Sequence, residues 1–362
     1  MAMPINQLLN PRALTALWKR NTSLALIGPP GIGKSAVVRQ FPALLEAATG
    51  HKFGYMELLA PTIDQPDVRG VLIPTKDKEG RAVALYTYPA TLPSREYLAA
   101  HPYGILFIDE FDQADHLTQK AFSPLLLDKA VGDTKLPPGW WVITASNRMS
   151  DKSGVVRPLM HNINRQCRVE IRPDVNALIN WMHENEVHPL GPAFVKQMPN
   201  VVFTEAMPSE PKPFCSPRSF VSAMGFITEL VGSSMSVPTD DVTHNIIQGD
   251  IGEGATASFM GWLKVVDCLP TIDEIKRNPA TAKMPPASRL DAAYVATQMV
   301  IHAADETNTD QLWTYCERLP QELQVMTAAA LMKRRGGRLL NSQQFGAWVS
   351  KNRALIISTV AD

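Results

Sequence analysis

The chain carries no excess of charge: 35 Lys and Arg stand against 35 Asp and Glu in 362 residues. Proteins that coat nucleic acid non-specifically need a basic surplus to neutralise phosphates, so nucleic acid is not an expected partner. Long apolar runs are missing as well. Nothing approaches the ~18 apolar residues of a membrane span, and the start, MAMPINQLLN, lacks the basic residues and apolar stretch of a signal peptide. No membrane association is expected, and the cytoplasm is the compartment this reading implies. The four cysteines, Cys167, Cys215, Cys268 and Cys316, are too scattered for a metal or redox motif and are expected to be reduced, mostly buried thiols. His183 and His188 miss the i, i+4 spacing that sets two zinc ligands on one helical face. There is no internal repeat.

What is present is a globular composition, 45% hydrophobic and 19% charged, at a length that predicts two or three folded units. Residues 1–22 space Leu8, Leu9, Leu14, Leu17 and Trp18 as a short amphipathic helix does. SLALIG (23–28) is an apolar run closed by glycine, hence a buried strand; the helical pattern from Lys34 to Ala48 should kink or break at Pro42. YMELLA (55–60), GILFID (104–109), WWVITASN (140–147) and RVEI (168–171) read as further strands, with a helix over 116–129. GVLIPT (70–75) and RAVALY (81–86) flank KDKEG as a β-hairpin with Gly80 in its turn, and VGDTKLPPG (131–139) reads as a second, smaller one. Alternation of this kind predicts an α/β fold with a parallel sheet and helices on both faces. Beyond Pro173 the strand signals stop; 174–198 and 218–232 read as helical with the proline-rich loop MPSEPKPFCSP between them, and after GSSMSVPTDD (232–241) a further helical region runs on, interrupted at NPATAKMPPAS (278–288).

GPPGIGKS, running Gly28, Pro29, Pro30, Gly31, Ile32, Gly33, Lys34, Ser35, has the Walker A spacing, with a strand before it and a helix after. In such a loop glycines let successive backbone N–H groups converge on phosphates at a helix N-terminus, a lysine neutralises the β/γ oxygens, and a hydroxyl ligates Mg²⁺. ILFIDE adds the carboxylate a nucleotide hydrolase needs at the end of a neighbouring strand: Asp109 to hold Mg²⁺ and Glu110 to polarise the attacking water. Asp112 and Asp115 could be extra ligands but are more simply read as the solvated, acidic start of a helix. Asn147, ending TASN, offers a neutral amide that can bond both a γ-phosphate and the attacking water.

With the phosphate loop, FIDE and TASN in this order, the chain resembles the AAA+ ATPases. DQPDVRGV (64–71) with its hairpin, LDKAVGDTKLPPGWWVITASN and SPRSF (216–220) narrow the resemblance to the MoxR-type branch, over residues 20–235, about three fifths of the chain. The resemblance implies a P-loop NTPase (AAA+) domain over 1–173, a helical lid over 174–235 and a helical C-terminal extension over 236–362. It also implies a homo-oligomeric ring, usually a hexamer, with ATP between subunits and hydrolysis driving the remodelling of a client protein or the insertion of a cofactor into it. A separate protein with a von Willebrand factor A domain often accompanies this branch.

Arg218 in SPRSF matches the family's sensor 2, which reaches the γ-phosphate of its own subunit. The arginine finger, which serves a neighbour, matches Arg165 in HNINRQCRVEI, where Gln166 replaces the phenylalanine usual after that arginine. Arg157 and Arg168 are competitors, the latter as a strand residue. The two hairpins match inserts that project toward the ring face or pore, where Lys76, Asp77, Lys78, Glu79 and Arg81 would meet a substrate or stay solvated. Two other readings stay open: a nucleic-acid-directed AAA+ motor, and a nucleotide-bound scaffold without hydrolysis, against which Glu110 speaks.

Overall fold

Short apolar runs closed by glycine, proline or acidic residues give the chain its strands. A computed structural model describes residues 2–132, 134–151, 159–204, 208, 210–266, 269–353 and 355–356. Its strands are β1 (Met3–Pro4), β2 (Ser23–Ile27), β3 (Phe53–Leu59), β4 (Leu72–Lys76), β5 (Ala82–Tyr86), β6 (Tyr103–Asp109), β7 (Ala130–Val131), β8 (Thr134–Lys135), β9 (Gly139–Ser146) and β10 (Gln166–Arg172). Six of them form one sheet in the order β1-β10-β2-β9-β6-β3, every neighbouring pair parallel. This is the expected α/β architecture of a P-loop protein, with β2 between two strands that come much later in the chain.

β9 shows how the two faces are built. Trp140 and Trp141 are both fully buried, on opposite faces as successive strand residues must be. Trp141 packs with Leu24, Leu26 and Phe41 on one face, and Trp140 with Leu106, Ile108 and Phe122 on the other. Each indole N–H reaches a backbone carbonyl, Trp141 that of Thr22 and Trp140 that of His101, both at 2.9 Å, so neither donor is buried unpaired.

The helical pattern after the phosphate loop breaks where expected, into Lys34–Val38 and Phe41–Thr49 with Pro42 in the first turn of the second helix. The helix expected over 1–22 is confined to Pro11–Arg20, where Asn10 Oδ1 caps the N–H groups of Arg12 and Ala13. Before it, Met3–Pro4 adds a sixth strand beside β10, too short to leave a periodic signal. β4 and β5 pair antiparallel with Gly80 at φ +79° in their turn, and β7 pairs with β8.

The chain divides into two compact units, Met1–Asp174 and Val175–Asp362. The second is helical, and the helix expected over 174–198 is two, Val175–Glu184 and Leu190–Gln197. Between them His188 is buried, its Nε2–H donating to the Ser234 carbonyl at 3.1 Å while Nδ1 accepts from the Leu190 N–H at 3.3 Å. Two apolar cores fill this unit. One gathers Phe194, Phe220, Ile247, Phe259 and Trp262, the other Leu312, Trp313, Tyr315 and Phe345. The helix Leu290–Ala303 serves both, giving Val295 and Met299 to the first and Ala296, Val300 and Ile301 to the second. Stretches read from sequence as lid and extension therefore share a core.

Among the described residues no helix is long and apolar enough to cross a membrane, and no cluster of side chains could hold a metal on its own. Cys167, Cys215 and Cys316 are free thiols, the last two buried; Cys268 lies outside the described residues.

Candidate functional site

The three central strands β2, β9 and β6 run parallel and end on one edge of the sheet, which brings the segments after Ile27, Asp109 and Ser146 together. The loop after β2 starts at Gly28, whose N–H donates to the Ser146 carbonyl at 3.2 Å. A Cβ at Gly28 would stand 2.8 Å from the Ile171 carbonyl oxygen, so a side chain has no room there. Gly31 and Gly33 have φ of +72° and +95°, left-handed backbone that glycine adopts without strain. Pro29 and Pro30 fill the turn between, and Ile32 packs into the core beneath. The helix Lys34–Val38 begins at Gly33, which has no side chain to cap it.

Lys34 is buried, and its ammonium donates to the carbonyls of Gly28 at 2.8 Å and Pro29 at 2.9 Å and to Asn147 Oδ1 at 2.8 Å. The Ser35 hydroxyl donates to Asp109 Oδ2. Asp109 Oδ1 accepts the N–H of Glu110 at 2.9 Å. Glu110 sits at φ +53°, an uncommon conformation for a residue with a side chain. It turns the chain out of β6 and leaves a half-buried carboxylate with no hydrogen-bond or ion-pair partner among the described residues. Lys34, Ser35, Asp109 and Asn147 thus meet in one place, with Glu110 beside them.

Asp112 departs from expectation. It is 3% exposed rather than solvated, because β9 and β10 enclose it: its N–H donates to Ser146 Oγ at 3.1 Å and its carboxylate lies 3.8 Å from Arg168 Nη2. Burial pushes the Asp112 carboxyl above its ordinary range, against the opposing pull of the Arg168 guanidinium and the Ser146 bond. Asp115 is the helix start expected, accepting the N–H groups of Leu117 at 2.6 Å and Thr118 at 3.1 Å. A cavity of about 390 Å³ opens beside Asn147, with Asp112, Arg168 and Glu170 in its wall.

Of the candidate arginines, Arg165 is half-buried on the short link between the helical turn Met160–Ile163 and β10. Arg168 is on β10, as expected. Arg157 lies outside the described residues. Arg218 belongs to the helical unit, exposed in the first turn of Pro217–Val231, whose cap is Ser216 bonded reciprocally with Ser219. At the tip of the first hairpin Arg81 pairs with Asp77 at 2.7 Å and Glu79 at 3.0 Å, while Leu72, Ile73, Leu85 and Tyr86 along its strands, and Val71 just before them, are exposed.

The donor set suits a nucleotide with Mg²⁺. Ser35 and Asp109 offer the hard oxygen ligands that Mg²⁺ takes alongside water and phosphate. Gly33 leaves open the space a Cβ would face, and the Lys34 ammonium sits among three neutral oxygen acceptors of the kind phosphate oxygens replace. Missing from the sequence reading are the Lys34–Asn147 bond, the Asp112–Arg168 pair and a buried bond from Gln166 Nε2 to Thr144 Oγ1 at 2.8 Å. Each joins distant segments, so only the sheet order could have signalled them.

Residues 23–155, which carry Lys34, Ser35, Asp109, Glu110 and Asn147, match the family described as AAA domain (dynein-related subfamily). No curated protein matches the chain in sequence. Among solved structures the chain is similar to a point mutant of RuvB from Thermotoga maritima, at 14% identity over 75% of either chain with a TM-score of 0.39. It is also similar to NtrX from Brucella abortus, at 16% identity over 82% of this chain and 68% of that one, TM-score 0.37. PCH-2 from C. elegans gives 13% identity over 72% of this chain and 68% of that one, TM-score 0.34.

Proposed function

We propose that the chain is a Mg²⁺-dependent ATPase of the MoxR-type AAA+ branch, which assembles into a hexameric ring and remodels a client protein or helps to insert its cofactor. The observation that carries the ATPase reading is the hydrogen-bonded cluster of Lys34, Ser35, Asp109 and Asn147, with the Glu110 carboxylate at its edge and unpartnered among the described residues. The branch, the ring and the client rest on the motifs SPRSF, DQPDVRGV and the two hairpins.

In this reading the loop N–H groups and Lys34 hold the phosphates, Lys34 exchanging its carbonyl and amide acceptors for phosphate oxygens. Ser35 and Asp109 would hold Mg²⁺, which would supply positive charge against the phosphates. Glu110 takes a proton from the attacking water, and Asn147, released from Lys34, orients that water. Arg218 serves the nucleotide of its own subunit and Arg165 that of a neighbour, where an arginine meeting transition-state charge is worth ~10³ to 10⁵ in rate by analogy with GTPase fingers.

The test is complementation. Arg165→Ala and Lys34→Ala should each be inactive in ATP turnover, while a mixture regains activity at interfaces where an intact Lys34 site meets an intact Arg165. Light scattering should show assembly that grows with a slowly hydrolysed ATP analogue. A monomer at every concentration, or a mixture as dead as its components after confirmed subunit exchange, rejects the ring and the role of Arg165. Turnover by Lys34→Ala at the wild-type rate rejects the ATPase reading itself.

A further inference from the structure

The short segment that carries Arg165 is held on both sides by buried polar side chains. Upstream, Asn162 is 2% exposed; its Oδ1 accepts from Ser123 Oγ at 2.6 Å and its Nδ2 donates to the Gln119 carbonyl at 3.4 Å. His161 Nε2 lies 3.0 Å from the same Ser123 hydroxyl. Downstream, Gln166, itself 9% exposed, donates from Nε2 to Thr144 Oγ1 at 2.8 Å.

The downstream bond is unusual in its path. In the sheet register Gln166 stands beside Ser23, and Ala25 beside Thr144, so the Gln166 side chain spans the whole of β2 to reach β9. It can do so because, between Gln166 and Thr144, β2 presents the small side chains of Ser23 and Ala25 on that face. An apolar side chain of equal size would fill the same space without selecting an orientation, whereas a buried amide and hydroxyl that lose each other leave polar atoms unpaired. The pair therefore fixes one arrangement of β10 against β9. Thr144 is followed directly by Ala145, Ser146 and Asn147, and Gln166 follows Arg165 without a gap.

We propose that Gln166 is a positioning residue: through Thr144 it ties the backbone that presents Arg165 to the strand ending in Asn147, so that Arg165 stands in one place for the nucleotide site of a second copy of the chain. This rests on the reading of Arg165 given above. The link runs from Lys34 through Asn147 and β9 to Thr144, across β2 to Gln166, and on to Arg165. Its upstream anchor, Asn162 on Ser123, leaves the segment one rigid attachment to the helix His116–Asp128 and one to the sheet.

Three variants test it: Gln166→Leu, the isosteric Thr144→Val, and Thr144→Ser, which keeps the hydroxyl. Misplacing a reacting group by ~1 Å costs on the order of 10²-fold in rate. Gln166→Leu and Thr144→Val should therefore lose about tenfold or more in kcat, with KM for ATP and the affinity for a fluorescent ADP analogue within about twofold of wild type. Thr144→Ser should restore kcat. Adding Lys34→Ala subunits should rescue Gln166→Leu, because its own nucleotide site is intact and receives Arg165 from the added subunit; a general folding defect would not be rescued in this way. In an Arg165→Ala background Gln166→Leu should add no further loss.

Wild-type kcat for both Gln166→Leu and Thr144→Val, beside an inactive Arg165→Ala, overturns the positioning role and leaves the role of Arg165 standing. So does a loss of activity that Lys34→Ala cannot rescue while it does rescue Arg165→Ala. Full activity of Arg165→Ala removes both. Should Gln166→Leu fail to fold, Thr144→Val against Thr144→Ser decides the matter alone.

Discussion

The ammonium of Lys34 and the amide oxygen of Asn147 stand 2.8 Å apart, across the gap between the loop after β2 and the end of β9. The cation that would meet phosphates is thus already paired with the residue that would sense them. Binding of a nucleotide must compete with this bond, and its release frees Asn147 for a second role.

Asn147→Asp should expose that competition. A carboxylate at this position would grip the ammonium through a charge-assisted bond, roughly twice as strong as the neutral one. ATP affinity should fall on the order of tenfold, or about 1.4 kcal/mol, in a titration with a fluorescent analogue. Asn147→Ala should bind ATP at least as tightly as wild type and turn it over slowly. Tighter binding by Asn147→Asp would mean that Lys34 does not leave Asn147 when phosphates arrive.

Glu110→Gln should bind ATP normally and hydrolyse it ~10² to 10⁴-fold more slowly, the range over which a positioned general base contributes. The amide keeps the shape of the side chain and asks nothing new of the backbone at φ +53°. Single-turnover hydrolysis is the measurement, and a wild-type rate would remove Glu110 from the chemistry.

Gly28→Ala tests the seat of the phosphate loop. Its Cβ would meet the Ile171 carbonyl at 2.8 Å and Ile32 Cδ1 at 3.0 Å, and β10 cannot yield without disturbing its pairing with β2. Overpacking of this kind costs about 1–3 kcal/mol. A lowered Tm together with weakened ATP binding is expected; a variant as stable as wild type would show that the loop can slide away from β10.

Acid should destabilise the helical unit through His188. Burial pushes its imidazole down to about 4, outweighing the bond to the Ser234 carbonyl that pulls the other way, and neighbouring His302 lowers it further. Because the folded state favours the neutral ring, the stability from His188 is complete above the ordinary value near 6.5 and drains away as pH falls toward 4. The full span is worth about 3 kcal/mol. Denaturant unfolding between pH 7 and 4 should show that slope, and His188→Gln should flatten it.

Much of the frame was legible because it is local. β2, β6 and β9 are covered on both faces and so are mostly apolar, and the glycines of the phosphate loop follow from backbone geometry that other residues avoid. Pro42 broke its helix for an equally local reason. The burial of Asp112 was not legible, since an acidic residue just after a strand looks the same whether solvent or Arg168 faces it. The bond from Gln166 to Thr144 depends on β10 lying next to β2 and β2 next to β9, an order no window of sequence contains. The strand Met3–Pro4 was hidden by its length alone.

The helix Leu290–Ala303 gives its two sides to two different cores, Val295 and Met299 to one and Ala296, Val300 and Ile301 to the other. Melting either core strips that helix of half its support, so the two have no independent route to unfolding and the unit behaves cooperatively. A protease that cut within 278–288 would sever the chain just before this helix, and the N-terminal piece would be left without Val295 and Met299. Residues past that point are therefore not a dispensable tail: they complete the packing around Phe220, on the helix whose first turn presents Arg218.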